Sequence, residues 1–363
     1  MAVDAPYPEL KKTHTMARKG RPWTDYKPPP AAPVWGVIEG LGSYYILLAA
    51  IELDVFDTLS STGPVKVEVL AEELKVSEPH LQSLLDSLVA LGMLDQFVNV
   101  YELNDTAKRY LTSDGVASMA NLISVAPGPH DNWISLAETI RNGSPAKPID
   151  DDPASFYVPL VEGTFTTMLR AATRSDLKIR YSNLTAPIVL DLGAGGAPWS
   201  IAVLKACPNG FAVINDFDGV LEVAKRKTQE HEVSDRCEFR SGNFHELEFE
   251  TDKYDLVVLG HVCRTEGEAG AKSLIERAFT YLKPGGRLLL ADYFVDKERK
   301  FNPHGVLMGM TMMTSTVKGF PITNEQATGW LREAGFESVR LIEPIGYQYL
   351  YVANKPFDLS KEY

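Results

Sequence analysis

The apolar run "YDLVVL" breaks into "GHVCRTEGEAG", residues 260–270, which gathers an imidazole, a thiol, a guanidinium and a carboxylate in one short loop. A loop at the end of a buried strand is where an α/β enzyme places reactive side chains. His261 suits proton transfer near neutral pH. Arg264 offers a planar fork that matches a carboxylate. His261 and Cys263 are metal-type ligands, but two without a third or fourth make a poor site, so no metal is expected. Cys263 reads instead as a small buried residue.

A second stretch, "VLDLGAGGAPWSIAVL", residues 189–204, carries binding rather than reaction chemistry. An apolar strand ends at Asp191; Gly193, Gly195 and Gly196 then form a turn, and a helix opens near Pro198. Glycines let the backbone approach a ligand closely at the carboxyl end of a strand. The order G-A-G-G-A-P departs from the dinucleotide pattern G-x-G-x-x-G, because Pro198 takes its last position. The next strand ends "VINDFD", which puts Asp216 where a carboxylate accepts from ribose hydroxyls. These residues alone leave the ligand open between a dinucleotide and S-adenosylmethionine.

The elements that position both stretches are short apolar strands alternating with helices from Pro187 onward. "PIVLDL", "FAVIN", "YDLVVLG" and "RLLLADY" have the composition of strands buried in a parallel sheet, and "ESVRLIEP" and "QYLYVANK" would finish that sheet at its edge. Ahead of them the pattern is helical. "VKVEVLAEELKV" and "SEPHLQSLLDSLVALGML" have apolar residues at helical spacing, with Ser77 expected to cap the second helix, and "FVNVYELN" alternates like a hairpin. Helix, helix, hairpin is a winged-helix order. Residues 116–182 also read as helical, with a loop "KPIDDDPAS" between "HDNWISLAETIRNGSPA" and "FTTMLRAATRSDLKIRY".

Four segments follow: an arm at 1–33, a winged-helix domain at 34–115, a helical linker at 116–182 and an α/β Rossmann-like domain at 183–363. The arm is rich in Pro and basic residues, with Trp23 and Tyr26 able to lie over a neighbour. With 48 acidic against 36 basic residues among 363, a formal charge of -12 opposes binding a polyanion. The would-be recognition helix, Glu78 to Met93, contains no Lys or Arg, so the wing is expected to dimerise rather than read DNA. "YYILLAAIELDVF" reads as too short and too charged to span a bilayer. Cys207, Cys237 and Cys263 lack CxxC spacing and point to free thiols in a reducing cytoplasm.

"VLDLGAGGAP", Asp216, "SGNF", "YDLVVLGHVC" and "YLKPGGRLLLADY" resemble, in order, the motifs of class I S-adenosylmethionine-dependent methyltransferases. From about Val34 to Pro356 the chain resembles the small-molecule O-methyltransferases typified by plant caffeate and animal hydroxyindole enzymes; "ELDVFDTL", "LLDSLVALGML" and "YELNDTAKRYL" are similar to their dimerising N-terminal domain. The resemblance implies a homodimer using S-adenosylmethionine. It would place Asp191, Gly193 and Gly195 around the methionine part and Asp216 with Phe217 at the ribose. Asn243 and Phe244 would flank adenine, and Gly260 would lie beside the cofactor. The acceptor pocket would draw on Trp133, Phe165, Met168, Met308 and Met312, each of which could equally be core at helical spacing.

The family's motif after this strand is xxxxHDW, whose His deprotonates the acceptor hydroxyl, and Arg264 falls on that His. A guanidinium stays protonated and cannot act as a base. Of the carboxylates that hold the family's His, one corresponds to Asp292, which is able to pair with Arg264; the other falls at Pro321 and is lost. A thioether sulfur or enol-like carbon needs no deprotonation, and Arg264 would suit an acceptor carrying a carboxylate. The preferred expectation is therefore S-methylation of a thioether such as 4-methylthio-2-hydroxybutyrate, as in dimethylsulfoniopropionate synthesis, with Arg170 and Arg174 as competing cations. The alternative is O- or C-methylation of a secondary metabolite with His130 or His261 as the replacement base. A catalytically silent S-adenosylmethionine-binding regulator is the reading from another class.

Overall fold

The computed structural model describes residues 31–357 apart from Pro127, Pro129, Asp150, Asp151 and Phe301. Trp23, Tyr26 and the expected arm up to residue 30 lie outside the described residues. The chain divides into two compact units between Tyr45 and Ile46, inside the first helix.

That helix, α1 (Ala32–Glu52), begins two residues before Val34 and runs 21 residues. Val34, Trp35, Val37, Ile38 and Leu41 are all exposed on it. Counting only "YYILLAAIELDVF" underestimated the apolar segment, because the helix starts upstream of that run; by length and composition it is long and apolar enough to cross a membrane.

The winged module follows as α2 (Val55–Thr62), β1 (Val65–Lys66), α3 (Val67–Leu74), α4 (Glu78–Ala90), β2 (Leu94–Phe97), β3 (Val100–Leu103) and α5 (Asp105–Tyr110), with sheet order β1-β3-β2. Leu81, Leu85 and Leu88 lie on one face of α4 and bury against Phe56, Leu59, Leu70, Leu94 and Tyr101. Tyr101 closes this core by donating its hydroxyl to Asp86 at 2.6 Å, and burial beside that carboxylate pushes its pKa up to about 12. Ser77 stands at the N-cap of α4, but its hydroxyl bonds His80 Nδ1 at 2.8 Å instead of a helix amide. An imidazole three residues on competes for the oxygen that would have capped the helix.

The linker forms α6 (Ala120–Val125), α7 (His130–Ile134), α8 (Leu136–Asn142) and α9 (Pro153–Ile179). The helical stretch "HDNWISLAETIRNGSPA" is interrupted at Ser135, between α7 and α8. The last helix begins inside the expected loop, because Asp152 caps it by accepting from the Ser155 amide and Pro153 fits the first turn. A Cβ at Gly163 would come 2.7 Å from the Asn121 carbonyl oxygen, so glycine there lets α6 close on α9.

The C-terminal domain runs β4 (Ile188–Leu192), α10 (Pro198–Ala206), β5 (Phe211–Asp216), α11 (Asp218–Glu230), β6 (Cys237–Ser241), β7 (Tyr254–Gly260), α12 (Gly267–Tyr281), β8 (Leu282–Asp292), α13 (Pro303–Ser315), α14 (Asn324–Glu333), β9 (Glu337–Ile345) and β10 (Gln348–Asn354). Sheet order is β6-β5-β4-β7-β8-β10-β9, with β4 to β8 parallel and β10 antiparallel to both neighbours. Alternate residues feed two cores: Val189, Val258 and Leu289 pack with Trp199 and Leu204, and Leu190, Val257 and Leu288 pack with Leu274 and Ala278. Burial on both faces explains the nearly continuous apolar runs. The sequence reading missed β6, whose "CEFRS" mixes charges with apolar residues as an edge strand can.

Leu85→Ala removes a fully buried side chain from the winged core. Its expected cost is about 2–5 kcal/mol, read as a lower denaturant midpoint with the slope unchanged.

Candidate functional site

The carboxyl end of β4 is built for close approach. Gly193 and Gly195 have φ of +63° and +59°, in the left-handed region that glycine adopts without strain. A Cβ on Gly193 would meet Val262 Cγ1 at 2.4 Å and Phe244 Cε1 at 3.5 Å. The turn is therefore wedged between the loops that follow β6 and β7. Asp216, at the end of β5, accepts from the Gly195 amide through Oδ2 and from the Phe217 amide through Oδ1, both at 2.8 Å. Burial raises Asp216 to about 6 against the pull of those two amides. Asp191 is fully buried; Oδ2 accepts from the Ser200 hydroxyl at 2.7 Å, Oδ1 has no partner among the described residues, and burial lifts its pKa to about 7.

The structure thus brings Asp191, Gly193, Gly195, Asp216, Phe217 and Phe244 to one crevice. Asn243 is on the same loop as Phe244, and its side-chain oxygen accepts from the His245 amide at 3.0 Å. Gly260 faces inward: a Cβ there would lie 2.8 Å from the Trp199 ring, so packing accounts for this glycine. Three supports escaped sequence reasoning. Asn215 donates its amide to the carbonyls of Arg240 and Gly242, Arg277 donates to the carbonyls of Phe244 and Leu247, and Val262 covers the glycine turn. Their partners lie on distant segments of the chain, beyond the reach of a one-dimensional pattern.

The second cluster sits at the ends of β7 and β8. Arg264 Nη1 donates to Asp292 Oδ1 at 3.0 Å, and the Tyr293 amide donates to the same oxygen at 2.9 Å. Both side chains of the ion pair are largely out of water, 14% and 3% exposed. Burial opposes the charge on Asp292, but Arg264, with His261 and the Tyr293 amide, together outweigh it and hold the carboxyl at about 2. On Arg264 burial pulls the other way, and Asp292 with the neighbouring tyrosines together raise its pKa. His261, with φ +67°, lies 3.8 Å from Asp292 Oδ1 through Nδ1, which is ion-pair reach but too long for a hydrogen bond. Burial lowers the His261 pKa, helped by the charge on Arg264 and resisted by Asp292, so its ring is neutral at pH 7. The Tyr293 ring is tilted against His261 and edge-on to His304, at 4.9 and 4.8 Å between ring centroids.

A cavity of about 10 Å³ adjoins the ion pair and is lined by Arg264, Asp292, Met308, Met312, Phe320 and Pro321, among others. That is room for about one water. Pro321, where the family's second carboxylate is lost, instead fills the space beside Gly309, whose Cβ would sit 2.9 Å away. Unpartnered buried polar atoms concentrate here: Arg264 Nε, Asp292 Oδ2, both His261 nitrogens, Ser315 Oγ and, on β10, Gln348 Oε1. Buried polar atoms are nearly always satisfied, so such a concentration marks where a polar ligand completes the structure.

Of the expected pocket residues, Met308 and Met312 line this cavity. Met168 Sδ accepts from Gln348 Nε2 at 3.0 Å, and Trp133 approaches Gly128 beside Thr311 and Ser315 of α13. Phe165 belongs elsewhere: its ring covers Gly196 of the glycine turn, with Lys227 5.0 Å above the ring. Its place on α9 turns it toward α10 and α11. His130 opens α7 and is not among the residues lining the cavity. Arg170, with Arg109, lowers the pKa of the Tyr110 hydroxyl. Cys263 is buried, and no three metal-type ligands gather among the described residues.

Residues 35–113 match the model of the O-methyltransferase dimerisation domain, and residues 186–335 match that of a methyltransferase domain. The chain is 24% identical over 318 residues to 3-hydroxy-5-methyl-1-naphthoate 3-O-methyltransferase of Streptomyces sahachiroi, covering 84% of this chain and 88% of that protein. It is also 24% identical over 334 residues to the N,N-dimethyltransferase OxyT of Streptomyces rimosus, covering 85% and 92%. Its fold is shared with human N-acetylserotonin methyltransferase in complex with SAM, at a TM-score of 0.80 and 21% identity over 92% of this chain and 99% of that one.

Arg264→Ala would leave Asp292 buried without its countercharge and is expected to cost about 3–5 kcal/mol near neutral pH. Because the folded pKa of Asp292, about 2, is below the unfolded value near 3.9, its stabilisation is complete above pH 4. It is lost as pH falls through 2. Acid unfolding of the wild type followed by circular dichroism should show that limb, and Arg264→Ala should lack it.

Proposed function

We propose that this two-domain methyltransferase moves the methyl group of S-adenosylmethionine to a heteroatom of a small molecule held against His261, Arg264, Asp292 and Gln348. The observation that carries the reading is the concentration of unpartnered buried polar atoms on those residues, one loop away from the glycine turn. The crevice fits the cofactor. Gly193 and Gly195 present backbone without side chains, and each Asp216 oxygen keeps a lone pair for a ribose hydroxyl after accepting one amide. Asp191 with the two glycines would line the methionine part, and Asn243 and Phe244 the adenine. The cofactor supplies an electrophilic methyl; the chain's residues orient the acceptor in line with it and exclude water. Residues 35–113 make a homodimer, and the exposed apolar side chains of α1 are the surface assigned to the second copy.

Hydroxyl methylation has the stronger support. His261 is kept neutral by burial, neither nitrogen is held in a close hydrogen bond although Nδ1 is 3.8 Å from Asp292, and that carboxylate stays negative to stabilise the imidazolium that forms when the ring takes the acceptor's proton. The Streptomyces sahachiroi relative is named for an O-methylation. S-methylation of a carboxylate-bearing thioether, 4-methylthio-2-hydroxybutyrate for example, is favoured by one observation: the motif position of the base holds Arg264. Its expected carboxylate clamp is narrowed to the Nε and Nη2 side of the guanidinium, because Nη1 already serves Asp292.

Labelled S-adenosylmethionine offered with panels of phenols, hydroxy acids and thioethers separates these readings. With a hydroxyl acceptor, His261→Gln is expected to lower kcat by roughly 100-fold or more. The wild-type rate should fall as pH drops below the ordinary histidine range, because His261 is active only when neutral and its pKa is lowered. Thioether transfer at full rate in His261→Gln would establish the second reading. Transfer to no acceptor would defeat both.

A further inference from the structure

His245 and Glu266 are joined by a hydrogen bond of 2.6 Å, His245 Nε2 donating to Glu266 Oε2, with side chains 33% and 22% exposed. Neither residue belongs to the acceptor cluster or contributes to the glycine turn. Their placement in the topology gives the bond its meaning. His245 is on the loop after β6 and Glu266 is in the turn after β7, and in the sheet β5 and β4 lie between those two strands. The bond therefore spans the carboxyl ends of β5 and β4, where Asp216 and the glycine turn lie. The same two loops supply Phe244 and Val262, which hold Gly193 between them.

The loop after β6 has two anchors of different character. Arg277 of α12 holds its backbone from the inside through the carbonyls of Phe244 and Leu247, at 2.7 and 2.6 Å. His245, its ring 4.7 Å from Phe244, holds it from the half-exposed rim. Glu266 is itself fixed. It is the N-cap residue of α12, where a carboxylate is favoured by the helix dipole, and its Oε1 accepts from the Thr265 hydroxyl at 3.1 Å. With the inner anchor setting the loop's shape, the outer bond is free to open without unfolding it.

We propose that His245 and Glu266 form a latch on the adenosine side of the cofactor crevice, which slows escape of S-adenosylmethionine and of its demethylated product. This rests on the cofactor reading given above. Both are positioning residues, acting through the loop that carries Asn243 and Phe244. A half-exposed pair of this kind contributes modestly, so its loss should speed dissociation by roughly two- to fivefold.

The test measures S-adenosylhomocysteine binding to the full chain by calorimetry, and its dissociation rate by competition, in the wild type, His245→Ala, Glu266→Ala and the double variant. The latch predicts that each single change raises the dissociation rate by that factor and that the double variant adds nothing further. Glu266→Gln, which keeps an acceptor oxygen at the same reach, should recover part of the effect. Unligated unfolding midpoints serve as the structural readout. A lower midpoint with an unchanged dissociation rate would make the pair a brace and overturn the proposal, as would additive effects in the double variant. Failure of the wild type to bind S-adenosylhomocysteine would instead defeat the cofactor reading.

Discussion

A carboxylate taken out of water needs a countercharge, and Asp292 obtains one from Arg264 at the point where β8 ends. Much of the acceptor side is arranged around that pair. It fixes the loop after β7 to the end of β8, and the Arg264 carbonyl then accepts from the Phe320 amide at 3.0 Å, which draws the segment carrying Pro321 against α13. Its two charges act on His261 in opposite senses, while burial decides that the ring is neutral. Satisfying Asp292 from within gives the protein a permanent negative group beside a neutral imidazole. That is the electrostatic arrangement a base needs when it becomes charged during a proton transfer.

The two halves of the site differ in how complete they are. Around the glycine turn, Asp216, Asn215 and Asn243 use their side chains on backbone groups, which holds the crevice in shape before anything enters it. Around the ion pair, polar atoms are buried and left without partners. A cofactor crevice shaped mostly in advance, where Asp191 Oδ1 and Asn215 Oδ1 alone await partners among the described residues, and a larger set of unmet atoms on the acceptor side suit a cofactor common to many reactions and an acceptor that must be told apart from others. The penalty for leaving such groups unpaired is what rejects a molecule that lacks the matching donors and acceptors.

The central strands were legible because each is apolar on both faces, and the glycine turn because its residue types leave few other uses. Edge strand β6 was not, since Glu238 and Arg240 interrupt the pattern that burial imposes elsewhere. Motif position located Arg264 and Asp292 and allowed their pairing, but which guanidinium nitrogen the carboxylate takes is decided only in space. Phe165 and Gly260 are placed beside ligands by the family resemblance alone; in space they face Gly196 and Trp199. Gln348 carried no signal at all, because its relevance arises only from the strand beside it.

That strand has a consequence for the order in which the protein is assembled. Since β10 runs against its neighbours, its first residue, and not its last, comes to the edge where β7 and β8 end. Gln348 therefore reaches the acceptor cluster only after β9 and β10 have been made and their hairpin has added to the sheet beyond β8. During synthesis the glycine turn and Asp216 emerge long before this, so a nascent chain could shape its nucleotide crevice while its reactive centre is still unfinished. The gap separates readiness to hold the methyl donor from competence to spend it.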